Sequence, residues 1–138
     1  NEYQKLGINI MYTANWLNEK IAGILSQEDI TQQQYNILRI LRGADKPLST
    51  LQIRARMLDK MSDTSRIVDR LVAKELVEKN TCPTDKRLVD VVLSKKGFVI
   101  LEKLDQLNHH LDALMKGISE KDAITMNQLL DQLREVSK

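Results

Sequence analysis

Residues 49–93 read STLQIRARMLDKMSDTSRIVDRLVAKELVEKNTCPTDKRLVDVVL, and this stretch decides the fold. It opens just after Pro47 with Ser49-Thr50-Leu51-Gln52, a capping box in which serine and glutamine each satisfy the other's orphan backbone amide. A helix is expected from there. Ser62 is the expected N-cap of the next helix, which runs to about Lys74 with Ile67, Val68, Leu71 and Val72 as its inner face. The period then changes. Val77, Lys79 and Thr81 alternate with Glu78 and Asn80, and Val89, Val91 and Leu93 alternate with Leu88, Asp90 and Val92. Between these two strand patterns lies the turn-rich tip Cys82-Pro83-Thr84-Asp85-Lys86. A helix pair followed by a hairpin with a charged tip is a helix-turn-helix carrying a wing.

Helices are expected on both sides. Thr31-Gln32-Gln33-Gln34 is a second capping box, opening a helix over Tyr35, Ile37, Leu38 and Leu41 that ends at Gly43 to Pro47. Tyr3 to Leu25 carries Leu6, Ile10, Leu17, Ile21, Ile24 and Leu25 at helical spacing. Beyond the wing, Ser94 can cap a fifth helix with Ile100, Leu104, Leu107, Leu111, Leu114 and Ile118 spaced four and three residues apart in alternation. That is a heptad seam, longer than packing on one small domain needs. Ser119 caps a last helix with Met126, Leu129, Leu130, Leu133 and Val136 on one face. The expected fold class is therefore mainly α with a small β-hairpin wing: a winged helix-turn-helix with six helices.

Composition sets the bounds. The 138 residues are 42% hydrophobic and 29% charged, as in a folded globular domain. No stretch approaches the roughly 18–20 apolar residues of a membrane span, and no basic-then-apolar leader is seen, so a cytoplasmic location is expected. The first residue is Asn1 rather than Met, so a few residues are expected to precede it. Net charge is +2, but it is unevenly spread. Residues 39–96 hold fourteen Lys/Arg against eight Asp/Glu, or +6, whereas each flank is −2. A basic centre between mildly acidic ends points the centre at a polyanion.

The helix over residues 62–74 leaves Ser62, Thr64, Ser65, Arg66, Asp69 and Arg70 outside its apolar stripe. Short hydroxyls suit close approach to phosphates and base edges, and arginine can read guanine in bidentate fashion or grip phosphate. At the wing tip, Arg87 is placed to enter a minor groove, with Asp85 holding it by a charge-assisted hydrogen bond. The expected DNA-facing set is Ser49, Arg54, Ser62, Thr64, Ser65, Arg66, Arg70, Lys86 and Arg87, with Asp85 as wing support. Each feature alone also fits an ordinary solvated helix face or charged turn; together they favour a reader of DNA.

Other chemistry has little to work with. One cysteine excludes an internal disulfide framework and a multi-cysteine zinc site. Cys82 has Lys79, Lys86 and Arg87 near it in sequence, which leaves a redox-responsive regulator as an alternative to an unreactive side chain. His109 and His110 are adjacent and point apart, while Asp105, His109 and Asp112 share a helix face at metal-compatible spacing. A solvated or interface histidine is the reading adopted, and neither a metal nor a cofactor is expected. No nucleophile elbow, phosphate loop or histidine-paired nucleophile points to an enzyme. A winged-helix module that binds protein rather than DNA is the remaining alternative.

The chain resembles the multiple antibiotic resistance regulator (MarR) family. Thr31 to Leu41 looks like that family's second helix, and Ser65-Arg66-Ile67-Val68-Asp69-Arg70-Leu71 like the body of its recognition helix. Asp85-Lys86-Arg87 matches its Asp-x-Arg wing signature, and Leu93-Ser94-Lys95-Lys96-Gly97 the turn from wing to dimerisation helix. One departure stands out: Glu75 falls where the family has a glycine for a left-handed helix cap. The resemblance implies one domain over 1–138, with dimerisation helices at 1–30 and 98–138 and a winged helix-turn-helix at 31–97. It implies a homodimeric, ligand-responsive repressor on a pseudo-palindromic operator. Leu6, Ile10, Leu107, Leu111, Leu114, Ile118, Leu129 and Leu133 would form the dimer interface. It also implies an effector cleft for a small aromatic or phenolic ligand, with Tyr12, Trp16 and Tyr35 as candidate lining; core aromatics are the alternative reading of the three.

Overall fold

The computed structural model describes residues 1–58, 63–81 and 89–135. Helix α1 spans Glu2–Ser26, α2 Gln32–Gly43, α3 Thr50–Arg56, α4 Thr64–Ala73, α5 Lys95–Leu104, α6 Leu107–Met115 and α7 Glu120–Glu135. Strands β1 (Leu48–Ser49), β2 (Val77–Thr81) and β3 (Val89–Leu93) form one antiparallel sheet in the order β1-β3-β2. The chain divides into two compact units, Asn1–Asp105 and Gln106–Lys138.

The local signals act where the sequence puts them. At both α2 and α3 the capping box is complete: Thr31 Oγ1 accepts from Gln34 N at 3.1 Å, and Ser49 Oγ from Gln52 N at 3.2 Å. The returning bonds run from Thr31 N to Gln34 Oε1 at 3.1 Å and from Ser49 N to Gln52 Oε1 at 2.9 Å. Each box satisfies two backbone amides that a helix start leaves without intrahelical partners. Ser94 caps α5 through Gly97 N at 3.0 Å, and Ser119 caps α7 through Asp122 N at 3.1 Å.

In the first unit the core is built from one face of each element: Ile37, Leu38 and Leu41 of α2, Ile53 of α3, Ile67, Val68 and Leu71 of α4, and Leu101 and Leu104 of α5. Val91 of the central strand is fully buried and pairs across to Leu48 and Lys79. Strand β2 buries only Val77 and leaves Glu78 to Thr81 to solvent, as an edge strand of a wing should. The second unit is different in kind. Of its two helices, α6 buries only Leu107 and α7 buries nothing.

Four expectations are corrected. The N-cap of α4 is Asp63, whose carboxylate accepts from Arg66 N at 3.3 Å, rather than Ser62, which lies outside the described residues. A carboxylate at this position also answers the positive end of the helix dipole. Thr64 is not on the polar face; it is 3% exposed, because three and four residues before Ile67 and Val68 it falls on the same buried face of α4. The fifth helix is interrupted at Asp105 and Gln106, so the heptad seam is divided between α5 and α6. No proline or glycine marks the interruption. It sits where the Asp105 carboxylate accepts two bonds, 2.9 and 3.2 Å, from the guanidinium of Arg42 at the end of α2. Leu107, assigned to the dimer seam, is 2% exposed within the single chain and so has no surface left for a partner.

Candidate nucleic-acid interface

Helix α4 separates cleanly into two faces. Thr64, Ile67, Val68 and Leu71 are buried; Ser65, Arg66, Asp69 and Arg70 are exposed. Arg66 and Arg70 lie four residues apart and therefore one above the other on the helix surface. The Arg66 guanidinium lies 3.7 Å from the Asp63 carboxylate, in a pair that is mostly solvated on both sides. A pair this exposed contributes little and yields easily to a stronger anion. Asp69 accepts from Lys79 Nζ of β2, which ties the exposed side of α4 to the wing strand and neutralises the carboxylate. Without that lysine, Asp69 would repel a phosphate backbone. Arg70 has no hydrogen-bond or ion-pair partner among the described residues, so its guanidinium is available.

The remaining candidates are distributed as follows. Arg54 is exposed on α3, which packs on α4. Ser49 is half-buried and its oxygen is engaged as the α3 cap, so it acts first on the helix and contributes at most its own proton outward. Ser62, Asp85, Lys86, Arg87 and the alternative redox residue Cys82 lie outside the described residues.

The aromatic candidates differ in exposure. Tyr12 is 74% exposed on α1, Trp16 is half-buried, and Tyr35 lies in the core under Arg39, whose guanidinium carbon stands 5.4 Å from the ring centroid. None of the three lines the two clefts beside α2. Those two neighbouring clefts follow the outer side of α2. One, of about 270 Å³, is lined by Asn36, Arg39, Ile40, Arg56 and Leu58. The other, of about 530 Å³, is lined by Asn18, Thr31, Gln32, Gln33, Asn36 and Leu58. Arg39 and Arg56 were no part of the expected lining; only folding brings α2 and α3 side by side. Asp105 of the candidate metal spacing is held by Arg42, and no group of three or more His, Cys, Asp or Glu among the described residues is arranged to hold a metal.

Two close backbone features shape the interface from behind. Glu75 has φ 64°, the left-handed conformation expected from its place in the glycine position. Leu76 N then donates to Leu71 O at 3.0 Å and Glu75 N to Val72 O at 2.9 Å, the bond pattern of a Schellman ending. Gly97 is required for a separate reason: a Cβ there would stand 2.3 Å from the Leu76 carbonyl oxygen and 2.7 Å from Leu93 Cδ1. Sequence reading noted the Leu93–Gly97 turn without seeing this close approach, which depends on where α5 crosses the end of α4.

A three-stranded antiparallel sheet behind a helix pair with an arginine-bearing outer face defines a winged-helix protein. The sequence model of the MarR family matches residues 28–88. The multiple antibiotic resistance protein MarR of Escherichia coli (strain K12) is 29% identical over 137 residues, covering 96% of this chain and 93% of the relative. Among solved structures, a mutant MarR from E. coli complexed with operator DNA matches with a TM-score of 0.83 at 28% identity, over 96% of each chain. A MarR-like transcription regulator from Bacillus cereus ATCC 10987 matches with a TM-score of 0.89 over 99% of each chain; at 20% identity it speaks for the fold alone. The chain is thus similar to the MarR family, in its central residues by the family model and over most of its length by these relatives.

Proposed function

We propose that this chain is a transcriptional regulator that binds double-stranded DNA sequence-specifically as a cytoplasmic homodimer, repressing from a pseudo-palindromic operator until a small effector releases it. The observation that carries the reading is the division of α4, with Arg66 and Arg70 stacked on its exposed face and the opposite face committed to the core. Such a helix can enter a major groove and still be held rigidly from behind. Ser65, Arg66 and Arg70 are its base- and phosphate-facing residues, Arg54 of α3 a backbone contact, and Lys86 and Arg87 the wing contacts expected from the sequence. The similarity to a relative solved on operator DNA supports it.

Two-fold pairing follows from what the single chain leaves uncovered. Met126, Leu129 and Leu133 of α7, Ile118 before it, and Leu6 of α1 are all exposed apolar side chains. A second copy of the chain is the partner proposed for them. For the effector, the Arg39 and Arg56 cations beside Ile40 and Leu58 suit an apolar anion. Regulators of this family are in general not enzymes, and the reading assigns no reaction.

The test is selection of bound duplexes from a random pool. The expected product is a palindrome with half-sites about one helical turn apart, bound more weakly as salt rises. A chain that enriches no sequence, yet co-purifies with a protein through α4, would overturn the DNA reading in favour of the interaction module.

A further inference from the structure

Lys74 follows the last turn of α4 and is not on its polar face, yet it is the most heavily bonded side chain at either end of that helix. Its ammonium carries three hydrogens. It donates to the main-chain carbonyl of Asp29 and to Gln34 Oε1 at 3.1 Å, and the Asp29 carboxylate lies 3.7 Å away. Both partners are themselves held. Gln34 is buried, and the same Oε1 accepts from Thr31 N inside the α2 capping box. Asp29, with φ 55°, closes the end of α1, where Ile30 N donates to Leu25 O at 3.2 Å and Asp29 N to Ser26 O at 3.1 Å. On the other side, the Lys74 carbonyl accepts from Lys96 Nζ at 3.2 Å, and the next carbonyl, of Glu75, accepts from Ser94 Oγ at 2.7 Å. A polar chain therefore runs from the α1–α2 turn, through Lys74, to the start of α5.

The consequence falls on α4. Its inner face is Ile67, Val68 and Leu71, and apolar burial has no direction. Such contact leaves small rotations and slides of a helix weakly opposed. Base-edge recognition by Arg66 and Arg70 tolerates neither, since hydrogen bonds weaken steeply off-axis. Directional bonds at the helix end supply what the core cannot. We propose that Lys74 is a positioning residue for DNA recognition: it sets the angle of α4 by pinning its C-terminal end to the α1–α2 turn, without touching DNA itself. The inference rests on the DNA-reading function proposed above.

The probe is the duplex selected with the wild-type chain, titrated against Lys74→Met, which keeps the aliphatic stem and removes the donors. Binding is measured at a temperature where circular dichroism shows each protein fully folded. The expected result is affinity weaker by about tenfold, the scale of losing hydrogen bonds from a charged donor. The salt slope stays unchanged, because no phosphate contact is lost. Lys103→Met removes the same charge from an exposed α5 position and leaves affinity within twofold. Lys74→Arg keeps the charge but cannot aim three hydrogens from one nitrogen, and it falls between wild type and Lys74→Met; it serves as the readout if Lys74→Met does not fold. Hydrogen exchange at amides 70–76 of the free variant is faster than in wild type. A folded Lys74→Met, or in its place Lys74→Arg, with wild-type affinity would make the residue merely structural and overturn the proposal. A salt slope reduced by about one phosphate would make it a DNA contact, and overturn it too. A wild type that enriches no duplex overturns the DNA reading and this inference with it; wild-type binding beside an unaffected variant overturns this inference alone.

Discussion

Glu75 holds a backbone conformation that costs an L-residue with a Cβ about 1–2 kcal/mol, and its carboxylate has no ion-pair partner among the described residues. Replacing it with glycine removes that strain but adds freedom to the unfolded chain, worth about 0.4–1 kcal/mol against the fold. Glu75→Gly is expected to be more stable by about 0.5–1 kcal/mol, read as a higher urea midpoint at unchanged slope. Gly97 is the opposite case. Its φ is ordinary, but the atom nearest to an added Cβ is the Leu76 main-chain oxygen, which cannot swing aside as a side-chain end could. Gly97→Ala is expected to lose about 2–3 kcal/mol in the same measurement, the range of overpacked cores. One position was legible in the sequence, since a glutamate stood in a glycine's place. The other was not, because the carbonyl that crowds Gly97 belongs to a residue twenty-one positions earlier.

At the scale of elements, short-range signals are legible in the sequence, whereas contacts between elements and the break in the heptad seam at Asp105 and Gln106 are not. Both capping boxes and the alternation of β3 depend on residues within a few positions of one another, so they survive any tertiary context. Strand β1, two residues long, exists only because Leu48 and Ser49 reach Val91 and Asp90. No pattern of two residues can announce that. Ser94 serves both levels, capping α5 through Gly97 N and donating to Glu75 O. Ser94→Ala is therefore expected to cost about 1.5–3 kcal/mol, more than a cap alone, by thermal or urea unfolding. On α4, Arg70→Ala is expected to weaken binding to the selected duplex by about 1–3 kcal/mol. If sequence preference relaxes at one base pair, Arg70 reads a base; if instead the salt slope falls by about one, it holds phosphate.

For the whole molecule, the decisive fact is how little of the second unit is covered. Leu129 and Leu133 are 58% and 49% exposed, at helical spacing on α7. Leu133→Asp would place a charge in the proposed dimer interface without disturbing any buried side chain of the single chain. The expected outcome is a folded monomer in sedimentation velocity, with affinity for the palindromic duplex lower by at least about a hundredfold because the two half-sites are no longer joined. A dimer that persists at micromolar concentration would move the interface away from α7. The same reasoning limits what the heptad pattern meant. Of its six apolar positions, Leu104 and Leu107 are consumed inside the chain, and exposure rises only toward Ile118.

The sequence by itself determined the kind of protein this is. Capping, periodicity and the two strand patterns are interactions of short range, and they place a winged helix-turn-helix between Ser49 and Leu93 independently of any tertiary contact. Tertiary structure decided the rest: that Thr64 turns inward, that Asp69 is neutralised by Lys79, that Arg39 and Arg56 border one cleft, and that Lys74 joins the end of α4 to the α1–α2 turn. Each of these joins residues on different elements. A pattern along one chain records which face of a helix is apolar, but not which partner's atoms will meet it, because that depends on how the helices cross.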